Sequence, residues 1–209
     1  MTAPTPIVFI VDDDPSVLKA LARLMRSAGL TATLFATPQE FLDRHDKNAP
    51  GCLVLDVAMP CINGLELQQT LAATGSELPV IFLTGNGDIP MSVRAIKQGA
   101  IDFLTKPVND SDLILAIHDA IEKNKIVREA GAKLNELQQR LAMLTPRERE
   151  VLSHVVSGKK NKHIAADLGT AEKTIKVHRS HLMRKLKAGS LAELVKLAEQ
   201  LGVQSSPPD

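Results

Sequence analysis

The stretch IVFIVDDDPSVLKALARLMRSAGL, residues 7–30, joins a short apolar run to a longer segment with helical spacing. The run IVFIV is apolar and mostly β-branched, which is typical of a strand buried on both faces of a sheet. Consecutive aspartates follow, and apolar residues then recur every three or four positions as far as Gly29, a typical helix terminator. A buried strand followed directly by an amphipathic helix is the repeating unit of an α/β domain.

The same unit recurs along the first part of the chain. Segments with helical spacing separate four further apolar runs, which are TATLF (31–35), CLVLDV (52–57), LPVIFLT (78–84) and AIDFLT (100–105). These strand–helix units predict a doubly wound, five-stranded parallel sheet with right-handed crossovers. We expect the flavodoxin-like strand order 2-1-3-4-5.

Composition limits the classes of protein to consider. The chain has 209 residues, of which 44% are hydrophobic and 23% charged, so wholesale disorder is excluded and one large or two small domains are expected. The sequence shows no apolar run of bilayer length and no export signal at its first residues, so we expect a cytoplasmic protein without a membrane partner. The cysteines, Cys52 and Cys61, are too few for a disulfide framework.

Charge divides the chain into two parts. Residues 1–121 contain 8 Lys and Arg against 14 Asp and Glu, whereas residues 122–209 contain 17 against 10. All the phenylalanines lie in the acidic part. An acidic half joined to a basic half indicates two domains with different partners.

Polar side chains stand where the predicted strands end. Asp12 and Asp13 follow the first strand, and Asp56 closes the third, so these carboxylates would share one pocket in the expected strand order. Crowded carboxylates need a compensating charge, which a hard divalent cation such as Mg²⁺ supplies. Thr84 closes the fourth strand and Lys106 follows the fifth. A carboxylate beside a divalent cation and an ammonium is suited to accept a phosphoryl group.

Residues 7–121 resemble the receiver domain of two-component response regulators, which has the flavodoxin-like, or CheY-like, fold. The matching segments are IVDDD (10–14), LDVAMP (55–60), NGLEL (63–67), TG (84–85) and GAIDFLTKP (99–107). The segment TGNGDIPM (84–91) is similar to the FixJ-type subgroup.

This resemblance implies a role for the acidic pocket. It implies that Asp56 is the phosphoacceptor and takes a phosphoryl group from a histidine of a partner sensor histidine kinase. It also implies that Mg²⁺ or Mn²⁺ is held by Asp13, Asp56 and the backbone carbonyl of Ala58, with Asp12 assisting through water.

The resemblance further implies which residues respond to the phosphoryl group. Thr84 would turn towards it and Lys106 would pair with it. Phe103 occupies the position of the family's switch aromatic residue. The Lys106–Pro107 peptide bond would be cis, a form that proline tolerates far better than other residues do.

The residues after 121 predict a helical linker over 122–143. A seam of apolar residues recurs at alternating steps of three and four, at Val127, Ala130, Leu134, Leu137, Leu141 and Leu144. Two interpretations remain open: the helix packs on its own protein, or the seam is a dimer contact.

The basic part has the pattern of a helix-turn-helix domain. Thr145-Pro146 with Glu148 is a typical helix start, and short helices are expected over 162–168, 171–186 and 191–201 with Gly169 at the central turn. Residues 144–188 contain 11 Lys and Arg against 4 Asp and Glu. A basic helix of this kind suits the major groove of duplex DNA, whereas single-strand binders stack bases on aromatic side chains that this part lacks.

Residues 137–202 resemble the LuxR-type four-helix DNA-binding domain of FixJ and NarL. The matching segments are LTPREREVL (144–152), NKHIAADLG (161–169), EKTIKVHRSHLMRKL (172–186) and SLAELVKLA (190–198). The resemblance implies base contacts from Lys176, Val177 and Ser180. It implies phosphate contacts from Asn161, Lys162, Thr174, Arg179 and Lys185.

Together these patterns predict a cytoplasmic transcriptional response regulator activated by phosphorylation of Asp56. The expected domains are a receiver (6–121), a helical linker (122–143), a LuxR-type domain (137–202) and a disordered tail (203–209). The expected partners are a sensor histidine kinase, double-stranded promoter DNA and a second copy of the chain when phosphorylated, with RNA polymerase as a further candidate.

Two other functions share parts of this pattern. An aspartyl-phosphate phosphotransferase or phosphatase would use Asp56 as nucleophile, but such enzymes usually carry an acid two residues later, where this chain has Ala58. A receiver whose output binds RNA or protein is the other alternative. We therefore expect a protein that accepts a phosphoryl group and can lose it again, but that is not an enzyme.

Overall fold

The computed structural model describes residues 4–85 and 88–203. Residues 86 and 87 of the segment TGNGDIPM and residues 204–209 of the expected tail lie outside the described residues. The chain divides into two compact units, Met1–Glu129 and Ala130–Asp209. Each unit has its own apolar core.

The first unit is the expected α/β domain. Its parallel strands are β1 (Ile7–Val11), β2 (Thr31–Phe35), β3 (Gly51–Leu55), β4 (Val80–Thr84) and β5 (Asp102–Thr105). Its helices are α1 (Pro15–Ser27), α2 (Pro38–Arg44), α3 (Gly64–Ala73), α4 (Ile89–Lys97) and the first part of α5 (Asp110–Ala142). The sheet order is β2-β1-β3-β4-β5, which confirms the predicted fold class and strand order.

The central strands β1, β3 and β4 are apolar and buried almost throughout because both faces of the sheet are covered there. Alternate residues of β1 enter different cores: Phe9 and Val11 join one, whereas Val8 and Ile10 join the other. Because successive side chains of a strand point to opposite faces, a strand between two layers of helices needs apolar residues at every position.

Polar residues in the loops start the helices. The Asp14 carboxylate accepts a hydrogen bond from the backbone N–H of Ser16 at 2.7 Å, and proline follows at the first position of α1. Asn63 and Glu66 form a reciprocal capping box at α3. These caps satisfy N–H groups that have no partner within the helix, so each helix begins at a defined residue after its strand.

Helix α5 is a single helix of 33 residues that includes most of the predicted linker. Of the apolar seam, Leu144 is buried and Leu141 packs against the core of the second unit. Val127 and Leu134 are 38% and 42% exposed. The last residues of the seam therefore pack on their own protein, whereas Val127 and Leu134 remain accessible.

The second unit is all-helical. Besides the last part of α5 it contains α6 (Pro146–Val156), α7 (Asn161–Asp167), α8 (Glu172–Leu186) and α9 (Leu191–Gln200). Gly169 has a φ of +59° in the turn between α7 and α8, a conformation that glycine adopts without strain. Ile164, Ile175 and Leu182 lie in the core between the helices, as a helix-turn-helix domain requires. Among the described residues, no helix combines the length and apolar character of a membrane span.

Candidate phosphorylation site and nucleic-acid interface

The carboxyl edge of the sheet brings distant charged residues together. Val11 lies beside Leu55 in the register of β1 and β3, so the residues that follow them, Asp12 and Asp56, are neighbours. The ammonium of Lys106 donates to Asp12 Oδ2 at 2.6 Å and to Asp56 Oδ1 at 3.0 Å. The two carboxylates and this lysine, separated by up to 94 residues, form one cluster, which we call the receiver cluster.

The receiver cluster has more negative than positive charge. Asp12 and Asp56 are only 3% and 6% exposed, and they share the single ammonium of Lys106. Burial raises the pKa of Asp12, although hydrogen bonds from Lys106 and from the backbone N–H of Asp14 oppose the shift. Burial would lower the pKa of Lys106, but its hydrogen bonds to both carboxylates raise it instead. The cluster can therefore accommodate further positive charge.

Local backbone contacts hold the Asp56 side chain in place. Its Oδ2 accepts a hydrogen bond from the backbone N–H of Ala58 at 2.8 Å, so the next turn of the chain fixes the carboxylate orientation. Helix α3 starts directly beside it, because Gly64 donates to the Val57 carbonyl at 3.0 Å. A Cβ on Gly64 would lie 2.3 Å from the Asp56 carbonyl oxygen, so only glycine fits there. Sequence reasoning missed this role of Gly64, for which the NGLEL segment offers no separate signal.

The third predicted carboxylate, that of Asp13, does not belong to the receiver cluster. Asp13 is exposed and lines a small cavity with Pro38 and the loop 59–62. Among the described residues, no group of three or more His, Cys, Asp and Glu side chains is close enough to hold a metal ion. The structure therefore brings together two of the three predicted carboxylates. Their oxygens and their excess negative charge nevertheless fit the chemistry of a hard cation such as Mg²⁺.

The remaining predicted receiver residues lie on β4 and β5 or directly after them. Thr84 is fully buried, and its carbonyl accepts a hydrogen bond from the backbone N–H of Lys106 at 2.8 Å. Phe103 is half-buried, with its ring centroid 5.9 Å from that of Phe82. The Lys106–Pro107 peptide bond is cis, as the resemblance implies.

Helix α8 presents a basic face to solvent. Lys176, Val177 and Ser180 are exposed together, whereas Ile175, Leu182 and Leu186 are buried on the opposite side. Lys173 and Arg184 lie on the same exposed face, at three residues before and eight after Lys176. Sequence reasoning did not name these two, although helical periodicity counted from Lys176 would have found them.

The predicted phosphate contacts fall into two groups. Lys162 and Thr174 are exposed. Arg179, by contrast, donates from Nη1 to Asn161 Oδ1 at 2.8 Å, which joins α8 to the start of α7. Lys185 donates to the buried Glu148 at 2.7 Å. The second group is thus already engaged within the protein.

Comparisons with known proteins agree with both units. Residues 8–118 match the family model of the response regulator receiver domain, and residues 142–198 match that of bacterial regulatory proteins of the luxR family. Nodulation protein W of Bradyrhizobium diazoefficiens is 44% identical over 200 residues, which cover 96% of this chain and 88% of that protein. The transcriptional regulatory protein FixJ of Azorhizobium caulinodans is 42% identical over 94% of this chain and 93% of its own.

Solved structures show the same architecture. The response regulator StyR superposes with a TM-score of 0.87 at 45% identity, covering 94% of this chain and 99% of StyR. Full-length FixJ from B. japonicum has a TM-score of 0.58 at 38% identity, covering 97% and 100% of the two chains. The chain therefore belongs to the response regulators that combine a receiver domain with a regulatory domain of the luxR family.

Proposed function

We propose that the protein is a transcriptional regulator of a two-component system that a sensor histidine kinase activates by phosphorylating Asp56. The observation that carries this proposal is the receiver cluster, in which Lys106 bridges Asp12 at 2.6 Å and Asp56 at 3.0 Å. A carboxylate held beside an ammonium at the carboxyl edge of a doubly wound sheet is suited to phosphoryl transfer.

In this proposal the chain's own residues position and stabilise the transferred group. A carboxylate oxygen of Asp56 attacks phosphorus, the bond from phosphorus to the kinase histidine breaks, and the imidazole keeps the electron pair. The Lys106 ammonium then pairs with a phosphoryl oxygen, which it can reach because it already contacts Asp56. Thr84 at the end of β4 and Phe103 within β5 respond, and the exposed surface of the receiver changes with them.

We assign the divalent cation, Mg²⁺ or Mn²⁺, to the carboxylates of Asp12, Asp13 and Asp56 and the carbonyl of Ala58. When bound, such a cation offsets the negative charge on the transferred oxygens. The excess negative charge of the receiver cluster supports this assignment. Asp13 would have to contribute from its exposed position, so it is the weakest member of the set.

The proposed output is binding to double-stranded promoter DNA through the exposed face of α8. Lys176, Val177 and Ser180 would contact base edges, and Lys162 and Thr174 would contact phosphates. Phosphorylated receivers would pair, so two output domains would read paired half-sites. RNA polymerase would then contact the dimer bound to DNA. Because promoter DNA lies in the bacterial cytoplasm, we propose that the protein acts there.

We propose further that the protein turns over no substrate of its own. It accepts one phosphoryl group and loses it by hydrolysis. The support is chemical: Ala58 has no carboxyl group to protonate a leaving group, at the position where aspartyl-phosphate enzymes usually have an acid.

Phosphotransfer to Asp56 can be tested with acetyl phosphate and Mg²⁺. We expect intact-mass analysis to show one added phosphoryl group on the wild type and on Asp119→Asn, which changes an exposed acid of α5, but none on Asp56→Asn. We also expect acetyl phosphate to tighten the binding of the first two proteins to promoter DNA. Labelling of Asp56→Asn at the wild-type level would refute the assignment.

A further inference from the structure

The buried carboxylate of Glu148 connects two helices of the second unit. Its side chain is only 4% exposed. Oε2 accepts hydrogen bonds from the backbone N–H of Thr145 at 2.8 Å, from the Thr145 hydroxyl at 3.0 Å and from the Lys185 ammonium at 2.7 Å. One carboxylate therefore caps α6 and also holds the last turn of α8.

The ammonium of Lys185 is largely used inside the protein. It donates to Glu148 and also to the carbonyl of Met143 at 3.2 Å, which occupies two of its three N–H groups. Its side chain is 28% exposed, whereas that of Lys176 on the same helix is 65% exposed. Lys185 and Lys176 thus have different surroundings, although both belong to a helix with a basic exposed face.

The buried, ionised carboxylate of Glu148 depends on the Lys185 ammonium. Burial alone would raise the pKa of Glu148, but hydrogen bonds from Lys185 and Thr145 lower it to about 2. The imidazole of His181 also lies near, with its Nδ1 3.7 Å from Oε1, but its side chain is 43% exposed. If Lys185 turned away to bind a phosphate, a buried ionised carboxylate would lose its closest cation, which is costly.

We propose that Lys185 is a positioning residue for α8, the helix that would meet the DNA, and not a phosphate contact. By tying the last turn of α8 to Glu148, it sets the orientation in which Lys176 and Ser180 meet the DNA. This inference rests on the proposed DNA-binding function, and it replaces the phosphate contact that the family resemblance implies for Lys185.

The salt dependence of DNA binding separates the two roles. Each phosphate contact that is lost lowers the slope of log K against log salt concentration by about 1. On mixed-sequence duplex DNA, we expect the full-length Lys162→Met variant to lose this amount, because Lys162 is exposed. We expect Lys185→Met, the same chemical change, to keep the wild-type slope. A slope lowered by about 1 in Lys185→Met would overturn the proposal.

Sequence discrimination tests positioning directly. The probe is a duplex selected from a random library with the wild-type protein, compared with the mixed-sequence duplex. We expect Lys185→Met to lower the ratio of the two affinities at least about 10-fold, since a misplaced helix loses base contacts. Lys185→Arg should keep the ratio, because guanidinium can also bond to Glu148. An unchanged ratio in Lys185→Met would leave the lysine with no positioning role and overturn the proposal.

A double variant separates positioning from stability. Lys185→Met leaves Glu148 buried without its cation, so its unfolding midpoint should fall by about 5 °C or more. Glu148→Gln added to Lys185→Met removes that charge and should restore much of the midpoint, while the affinity ratio stays low. Recovery of the ratio together with the midpoint would show a purely structural role and overturn the proposal. Absence of DNA binding by the wild type would instead overturn the proposed function itself.

Discussion

Each unit of the protein contains a lysine paired with buried carboxylates, and the two clusters differ in their charge balance. In the receiver cluster one ammonium, that of Lys106, serves both Asp12 and Asp56. In the output cluster, Lys185 with Glu148, one ammonium serves one carboxylate that also accepts two hydrogen bonds from Thr145. The pKa of Asp12 is raised by burial, whereas that of Glu148 falls to about 2 despite burial.

We interpret the receiver cluster as a site suited to chemistry and the output cluster as an ion pair that stabilises the fold. A carboxylate whose ionisation is opposed by its surroundings gains from added positive charge, as metal binding would supply. A carboxylate whose ionisation is strongly favoured contributes to stability as it stands. We therefore expect the loss of a carboxylate at neutral pH to stabilise the first unit when it is Asp12 and to destabilise the second unit when it is Glu148.

The largest expected effect on stability concerns the output cluster. The pKa of Glu148 falls from 4.5 to about 2, so its ionised form stabilises the folded state by no more than about 3 kcal/mol at neutral pH. Glu148→Gln should lose this contribution in the second unit, as measured by hydrogen exchange of α8 amides in urea. Because the folded pKa is lowered, the wild-type advantage should be complete above pH 4.5 and disappear as the pH falls towards about 2.

The matched control is Glu150→Gln on the same helix, whose wild-type side chain is 52% exposed and pairs with Arg147. Exposed pairs of this kind contribute at most about 1 kcal/mol. An equal loss of stability in both variants, or a loss that is independent of pH, would contradict the assigned role of the output cluster.

The next largest effect concerns the shared cation of the receiver cluster. Lys106→Met removes the cation shared by Asp12 and Asp56, and we expect the first unit to lose about 2 kcal/mol at neutral pH, less than for a fully buried pair because Lys106 is 24% exposed. The pKa of Asp12 is already raised by burial, and losing Lys106 would raise it further. The loss of stability should therefore shrink as the pH falls and one carboxylate becomes protonated.

Lys97→Met is the control for this change, since Lys97 is exposed on α4. Hydrogen exchange of β1 and β3 amides at several pH values measures both variants. A destabilisation of Lys106→Met that grows towards acidic pH would show that the shared ammonium is not what holds the two carboxylates together.

Sequence reasoning found the receiver cluster but not the output cluster, and topology explains why. The alternation of strands and helices predicts a doubly wound sheet, and the flavodoxin-like strand order expected for it places the residues after β1 and β3 side by side. Asp12 and Asp56 could therefore be paired from the sequence. Glu148 and Lys185 lie on separate helices, and no periodic pattern in the sequence specifies how those helices pack. From the sequence alone, Lys185 therefore does not differ from the exposed basic residues of the same helix.

Sequence reasoning also does not predict the orientation of individual side chains. Asp12 and Asp13 are consecutive, so in extended chain their side chains point in different directions. The aspartate run alone does not say which of them is buried. The structure shows Asp12 buried and Asp13 exposed. Similarly, the need for glycine at position 64 depends on how closely α3 approaches the Asp56 carbonyl, a distance that only the folded chain defines.

The smallest expected effect on stability concerns Asp12 of the receiver cluster. Asp12→Asn removes a carboxylate whose pKa is raised by burial, so its ionised form is disfavoured and the first unit should gain a little stability at neutral pH without Mg²⁺. The asparagine carbonyl can still accept the hydrogen bond that Asp12 Oδ1 receives from the backbone N–H of Asp14. We expect added Mg²⁺ to stabilise the wild type by mass action and to stabilise this variant much less.

Asp14→Asn, two residues further along the same loop, provides the matched control. Asp14 is exposed, and hydrogen bonds from the Ser16 hydroxyl and backbone N–H lower its pKa, so its ionised form is favoured. That variant should lose a little stability and keep the full response to Mg²⁺. Thermal unfolding of both proteins with and without Mg²⁺ provides the measurement. If Asp12→Asn lost stability and still responded fully to Mg²⁺, the receiver cluster would only stabilise the fold, as the output cluster does, and its excess charge would have no function.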